Sequence, residues 1–338
     1  MKKSSFILAA LGAFTGAALA QSSVTMFGVV DVNARYIKNG DVKTKQLGTD
    51  GLSSSRLGFR GIEDLGGGLK AGVWIESAFN PDTGTTPARF WHRRSTVSLL
   101  GGFGEVRLGR DLVPTHTAWG GIDSYGGLGL GDPGNLSLAL AGATAVDTRV
   151  RDDNMISYFL PSNLGGWYGQ ATVAPGEGVL GKKYIGGKIG YATGPLHVVA
   201  AYSTTQADAA DNKFKVLVLS AAYDFGVVKL NGILWQAKFL VNKEDRYTLG
   251  ALMPVGGIGQ VRASFTRLTS RGGNIVGNNA DQFALGYVHN LSKRTALYAD
   301  YGRISNEKGA KFTVASTPAG IRAGQTSSGV DFGIVHSF

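Results

Sequence analysis

Polar and apolar side chains alternate with a period of two residues in many short segments of this chain, and this pattern is its strongest constraint on folding. In segment 24–36, for example, Asp31, Asn33 and Arg35 share one side of an extended strand. A helix would distribute these three side chains around its circumference. The same alternation returns in segments 54–60, 73–76 and 261–266. The pattern therefore predicts an all-β chain whose strands have two unlike faces.

The connections between these segments alternate between two kinds. Seven are short and glycine-rich, as at 65–68, and eight are long and polar, including 38–53, 112–150 and 241–244. Alternating short turns and long loops are typical of bacterial outer-membrane barrels, and a sheet can span hydrocarbon only if it closes. We therefore predict a 16-stranded antiparallel transmembrane β-barrel. A secreted β-sandwich is the soluble alternative.

The first twenty residues have the features of an export signal. Lys2 and Lys3 precede an apolar stretch, and Ala18-Leu19-Ala20 forms a small-x-small cleavage site. We expect a signal peptide at 1–20 and a single barrel domain at 21–338. No later segment is apolar over the roughly 20 residues that a membrane helix requires.

The chain is basic, with 34 Lys and Arg against 24 Asp and Glu. Export excludes nucleic acid as a partner, and the basic residues are scattered along strands, so they are expected to line a channel. The five histidines are dispersed and no H-E-x-x-H or G-x-S-x-G motif occurs. We therefore expect no enzyme activity, catalytic residue, metal or cofactor.

The chain ends in a strand pattern of its own. Val330, Phe332, Ile334, His336 and the terminal Phe338 fall on one face. We expect this segment to be the closing strand, with Phe338 held against the strand that starts near position 24.

The connection at 112–150 is the candidate functional segment. It is far longer than usual connections, and it contains Trp119, Tyr125 and a Leu/Ala stretch at 136–141 that needs a surface to pack on. We predict that this third extracellular loop folds into the barrel; an ordinary surface loop is the alternative. Its acids Asp123, Asp132 and Asp147 would face a basic wall.

Several charged residues are expected on the inner faces of successive strands. They are Arg56, Arg60, Glu76, Arg94, Arg107 and Arg151, with the last sharing a face with Asp153 and Ser157. A ring of guanidinium groups concentrates anions and excludes cations. Arg93, next to Arg94, leaves the register uncertain at that point.

Motifs along the whole chain resemble those of the trimeric sixteen-stranded general porins of beta-proteobacteria, which are related to the neisserial porins. The matching segments are 24–31, 55–61, 63–69, 104–110 and the terminal Phe338. Within that family the chain is similar to the anion-selective porins, whose third loop folds inward and whose constriction is crossed by arginines. The resemblance implies a homotrimer in the outer membrane and assigns the selectivity role to Arg56, Arg94 and Arg151.

The sequence thus indicates a passive channel for small anionic solutes, in contact with outer-membrane lipids or lipopolysaccharide. Two other classes remain open. One is an outer-membrane barrel enzyme such as a lipase or protease, and the other is a closed structural or adhesin barrel.

Overall fold

The computed structural model describes residues 23–137, 140, 143, 146, 148–315 and 320–338. The expected signal peptide at 1–20 and the acid Asp147 lie outside the described residues and stay predictions. The strands are β1 Ser23–Asn39, β2 Val42–Gly48, β3 Arg56–Gly66, β4 Leu69–Ala78, β5 Arg94–Gly101, β6 Gly104–Leu112, β7 Arg151–Phe159, β8 Trp167–Ala174, β9 Tyr184–Thr193, β10 Leu196–Gln206, β11 Lys213–Asp224, β12 Lys229–Phe239, β13 Asn242–Val255, β14 Gly259–Arg271, β15 Ala280–Asn290, β16 Thr295–Asn306 and β17 Thr326–Ser337.

The sheet closes because the first and last strands pair with each other. β1 runs antiparallel to β17 from Val29↔Ser337 to Asn39↔Ser327, and its other edge pairs with β3 from Ser23↔Ile62 to Val29↔Arg56. Every other strand of the circuit pairs with its sequence neighbour. The predicted antiparallel barrel of 16 strands is therefore confirmed.

One predicted loop contains a strand in addition to the sixteen of the circuit. Within 38–53, β2 forms a hairpin with the C-terminal part of β1, from Asn33↔Gly48 to Asn39↔Val42. The sequence did not indicate this strand because both of its faces carry polar residues, Lys43 and Lys45 on one and Thr44 and Gln46 on the other. A second correction concerns 241–244, since β12 and β13 are joined by only two residues, 240–241.

The two faces of the sheet differ as the alternation predicted. In β1, Asp31 and Asn33 are buried on the inner face, whereas Val24 and Met26 are 73% and 58% exposed on the outer face. The outer face carries exposed Leu, Ile, Val and aromatic side chains around the barrel. Among the described helices, none has both the length and the apolar composition that crossing a membrane requires.

The C-terminal residue lies at the seam between β17 and β1. Gly28 N–H donates to the carbonyl of Phe338, and Phe338 N–H donates to the carbonyl of Gly28, each at 3.0 Å. A Cβ atom on Gly28 would lie 2.3 Å from the Phe338 ring, so the ring rests directly on the glycine backbone. These contacts support the prediction that Phe338 helps to close the barrel.

Deletion of Phe338 should weaken the seam. The deletion removes two backbone hydrogen bonds and the ring contact. In SDS gels, where the folded barrel migrates as a compact species unless the sample is heated, the variant should convert to the unfolded band at a lower sample temperature than the unmodified protein. Phe332→Ala is the matched control, because Phe332 is also a lipid-facing aromatic residue, 64% exposed, but lies within the strand. Equal losses in both variants would contradict a special role for the terminal residue.

Candidate functional site

The third loop, residues 113–150, begins and ends side by side, because Val113 N–H donates to the carbonyl of Val150 at 3.0 Å. It opens with helix α1, Pro114–Gly120, in which proline occupies the first turn, where its missing N–H costs no hydrogen bond. Two 3-10 helices follow, at Gly129–Gly131 and Pro133–Asn135. Within its described residues, the loop therefore contains three short helical segments.

Apolar side chains of the third loop pack on the inner face of the sheet in two places. Around α1, the loop buries Ala118, Trp119, Ile122, Leu140, Ala143 and Val146 in a cluster with inward-facing residues of β10–β12, among them Val199, Val216, Val218 and Trp235. At the first 3-10 helix, Leu130 and Leu136 join Ile37, Leu268, Ala280 and Ile304. This inner wall supplies the packing surface that the loop's apolar composition requires.

Polar contacts fix the loop to the same wall. Asn231 Nδ2 donates to Ser124 Oγ at 2.6 Å and Gln282 Nε2 donates to the Leu130 carbonyl at 2.9 Å. The backbone also approaches closely, since a Cβ atom on Gly302 would lie 2.6 Å from the Leu130 carbonyl oxygen. These contacts support the predicted infolding of the third loop into the barrel.

The loop acids bond to the loop's own backbone. Asp123 Oδ2 accepts from the N–H groups of Tyr125 and Gly127, at 3.2 and 2.9 Å. Asp132 caps the second 3-10 helix by accepting from Gly134 N–H. Burial raises the pKa of Asp123 to about 7 and also raises the pKa of Asp132. The surroundings of both carboxyl groups therefore disfavour the ionised form. They stabilise turns, and the acids that contact Arg56, Arg93, Arg94 and Arg107 lie on the strands.

One carboxylate on β4 holds two arginines. Arg93 Nε donates to Glu76 Oε1, and Arg56 Nε lies 3.7 Å from the same oxygen. The Arg93 carbonyl in turn accepts from Arg151 Nε at 2.8 Å. Arg151 forms no ion pair with any residue that the structure describes. Glu76 thus contacts two of the three guanidinium groups, and the third, that of Arg151, is held by a backbone carbonyl.

A second group lies further along the inner wall. Arg107 bonds to Glu105 at 2.8 Å and to Asp111 at 2.7 Å, while Arg94 Nε is 3.5 Å from Asp111. The guanidinium carbon of Arg94 lies 4.2 Å from the centre of the Trp74 ring. Arg94 and Arg107 are therefore largely neutralised by strand acids.

The strand alternation predicted the correct face for Arg60 but does not account for the position of Arg151. Arg60 shares the inner face with Arg56, as predicted, and stacks over Trp74 at 5.7 Å. The β6–β7 register shifts between Gly109 and Asp111. As a result Arg151 no longer shares the face of Ser157, and Asp153 pairs with Arg89, Arg110 and Lys182. Arg151 still reaches the interior, through its bond to Arg93.

Two cavities inside the barrel meet at the arginines. One, of about 520 Å³, is lined by Arg60, Arg94, Trp74, Glu76 and Asp111, and the other, of about 700 Å³, by the third loop, Arg149 and Arg246. Arg56, Arg93 and Arg151 line both cavities. These three side chains therefore stand at the passage between the two spaces.

Sequence reasoning missed several residues of this interior. Arg93 lies just before β5, where strand alternation does not apply. Arg246 is bound to the loop, donating to the Pro133 carbonyl at 2.9 Å and stacking 3.8 Å above the Trp235 ring. His116 lies in α1, and its burial near Arg151, Arg246 and Arg93 lowers its pKa to about 4, so it adds no charge at neutral pH.

The family of this chain follows from three comparisons. A family model described as Gram-negative porin matches residues 8–309. The chain belongs to the Gram-negative porin family. Outer membrane porin protein 32 of Delftia acidovorans is 42% identical over the full length of both chains, and an outer membrane porin of Bordetella pertussis is 30% identical over 95% of this chain and 98% of its own. The solved anion-selective porin from Comamonas acidovorans superposes with a TM-score of 0.84 at 38% identity, covering 94% of this chain and 100% of that one.

The comparisons confirm the resemblance read from the sequence and the location that it implied. The protein is an outer-membrane porin: a closed barrel whose relatives are channels rather than enzymes. In porin barrels the long loops lie outside the cell and the short turns face the periplasm. The loops after β1, β4, β6, β8, β10, β12, β14 and β16 are therefore extracellular.

Gly302→Ala should displace the third loop from the wall. The new Cβ atom would overlap the Leu130 carbonyl and push this part of the loop toward the lumen, at a cost of about 1–3 kcal/mol. We expect a lower single-channel conductance. Gly232→Ala is the control, since its Cβ atom would meet nothing closer than 3.8 Å, on the outer face. Unchanged conductance in Gly302→Ala would contradict the contact between loop and wall.

Proposed function

We propose that this porin conducts small inorganic and organic anions in preference to cations, and that Arg56, Arg93 and Arg151 set the preference. The observation that carries the proposal is the position of these three arginines on both interior cavities, where Glu76 is bonded to Arg93 and lies 3.7 Å from Arg56. An ion crossing between the cavities passes an excess of fixed positive charge, which attracts anions and repels cations.

The remaining charged residues of the predicted site modulate this field. Strand acids and aromatic rings contact the other arginines of the site: Asp111 and Glu105 lie beside Arg94 and Arg107, and Arg60 stacks on Trp74. These arginines therefore contribute less net charge than the three that line both cavities. Glu76, Glu105 and Asp111 lower the total charge without cancelling it. The selectivity is therefore expected to be moderate and to weaken at high salt, where charges are screened over about 3 Å at 1 M.

The similarity to the anion-selective porin from Comamonas acidovorans supports the same preference here. The family resemblance also supports a homotrimer, with an apolar outer face that suits both lipid and neighbouring subunits. Light scattering of the purified protein in detergent should give the mass of three chains. A monomeric mass under those conditions would contradict the trimer.

Arg151→Gln should shift the reversal potential toward cations in a planar bilayer under a potassium chloride gradient. A unit charge about 7 Å away in water attracts a permeating anion and repels a permeating cation by about 0.6 kcal/mol each, so the anion-to-cation permeability ratio should fall about sevenfold. Arg303→Gln is the control, because Arg303 is exposed on the outer face of β16. The effect should disappear at 1 M salt.

The same bilayer measurement separates the alternatives. A closed structural or adhesin barrel would carry no current, and a cation-favouring reversal potential in the unmodified protein would overturn the assignment to the arginines. An enzyme of the barrel type would release product from phospholipid or peptide substrates, and we expect none.

A further inference from the structure

Four cations form a row across the extracellular end of strands β11–β14. The strand register places Lys215 opposite Lys238, Lys238 opposite Lys243, and Lys243 opposite Arg271. Neighbouring strands lie about 4.8 Å apart, so the row is about 14 Å wide. Four adjacent strands thus present a positive charge at the same height.

The row faces away from the channel. The residues next to it in each strand, Val216, Ala237, Asn242 and Ser270, are buried on the inner face. Lys215 and Lys238 are exposed, and the Arg271 side chain is 63% exposed. These four charges therefore have no part in the conduction pathway.

Like charges directly opposite each other destabilise a sheet, and this row has little internal compensation. Asp245 pairs with Arg271 and lies 3.4 Å from Lys243 Nζ, while it also accepts from Gln236 Nε2 at 2.6 Å. Neither Lys215 nor Lys238 pairs with an acid anywhere in the part of the chain that the structure describes. The row keeps a net positive charge that an external anion would stabilise.

The surface below the row becomes apolar toward the membrane centre. Two residues down the four strands lie Leu217, Gln236, Asp245 and Thr269, and two further down lie Leu219, Leu234, Tyr247 and Arg267. Leu249 and Phe265 follow, 67% and 44% exposed. Each step of two residues is about 7 Å. A ligand that contacts the cations therefore continues onto a hydrocarbon-facing wall.

We infer that this row binds the phosphate groups of an outer-leaflet lipid, with the acyl chains lying along Leu219, Leu234, Tyr247 and Leu249. A row about 14 Å wide can hold two phosphate groups, which suits a diphosphorylated glycolipid. A free anion would use the cations alone and leave the apolar wall without a role. The inference gives the lipid partner expected from the sequence a defined place, and it depends on the outer-membrane location rather than on anion selectivity.

The test compares two double variants of the full-length protein in non-ionic detergent, titrated with diphosphorylated lipid A at low salt. A surface cation contributes roughly a factor of five to binding of anionic lipid, so K215Q/K238Q should bind about 25-fold more weakly. K43Q/K45Q is the matched control, because both lysines are extracellular and exposed in β2 but lie outside the row. Its affinity should stay within about twofold of the unmodified protein.

Further measurements distinguish a loss of phosphate contacts from misfolding of the variant. Dephosphorylated lipid A should bind the unmodified protein as weakly as diphosphorylated lipid A binds K215Q/K238Q. The double variant should retain the reversal potential and the compact mobility in unheated gels, since it removes repulsion outside the pore. Equal losses in both double variants would overturn the inference. Inorganic phosphate binding as tightly as the lipid would also overturn it, and a changed oligomeric mass would identify a second copy of the chain as the occupant.

Discussion

Every part of this molecule depends on one constraint: a backbone amide inside hydrocarbon must be hydrogen-bonded within the protein. The chain meets it by pairing β1 with β17, so the sheet has no free edge at membrane depth. The unusual length of β1 follows from this arrangement. Residues 23–29 of β1 pair with β3, and residues 33–39 pair along the same edge with β2. Closure in turn creates two chemically different surfaces from one alternating sequence, and we propose one site on each surface.

The alternation predicted the barrel and most of its inner wall because the period of two is a property of any regular strand. Arg56, Arg60, Arg94 and Arg107 lie on the faces that counting along the strands gave them. Counting fails where the backbone is irregular. At the bulge of β6–β7, Asn154 adopts a positive φ of 54°, and the residues before it change faces, so Arg151 was placed inside for an incorrect reason. Arg93 precedes its strand, and β2 has too little contrast between its faces to be recognised.

The third loop explains why the acids could not be assigned from sequence. A loop that folds into a barrel buries its own polar backbone, and buried N–H groups need acceptors. Asp123 and Asp132 supply these acceptors, at the cost of carboxyl groups whose pKa values rise on burial. The opposing negative charge therefore comes from strand residues such as Glu76, whose direction the sheet fixes. Composition alone gives the number of acids in a loop, whereas only the fold decides which of them remain charged and face the channel.

In our two proposals, an excess of positive charge has opposite consequences on the inner and outer surfaces of the barrel. At Arg56, Arg93 and Arg151 the cations adjoin interior cavities, so an attracted anion keeps its path onward and the charge favours passage. At Lys215, Lys238, Lys243 and Arg271 the cations adjoin an apolar wall, so an anion with acyl chains gains burial as well as charge compensation and is retained. Inside the barrel, strand acids hold the arginines in place, and without them the guanidinium groups would repel one another. On the outside Asp245 performs that task for Lys243 and Arg271, and under our proposal the phosphate groups of a bound lipid would perform it for Lys215 and Lys238.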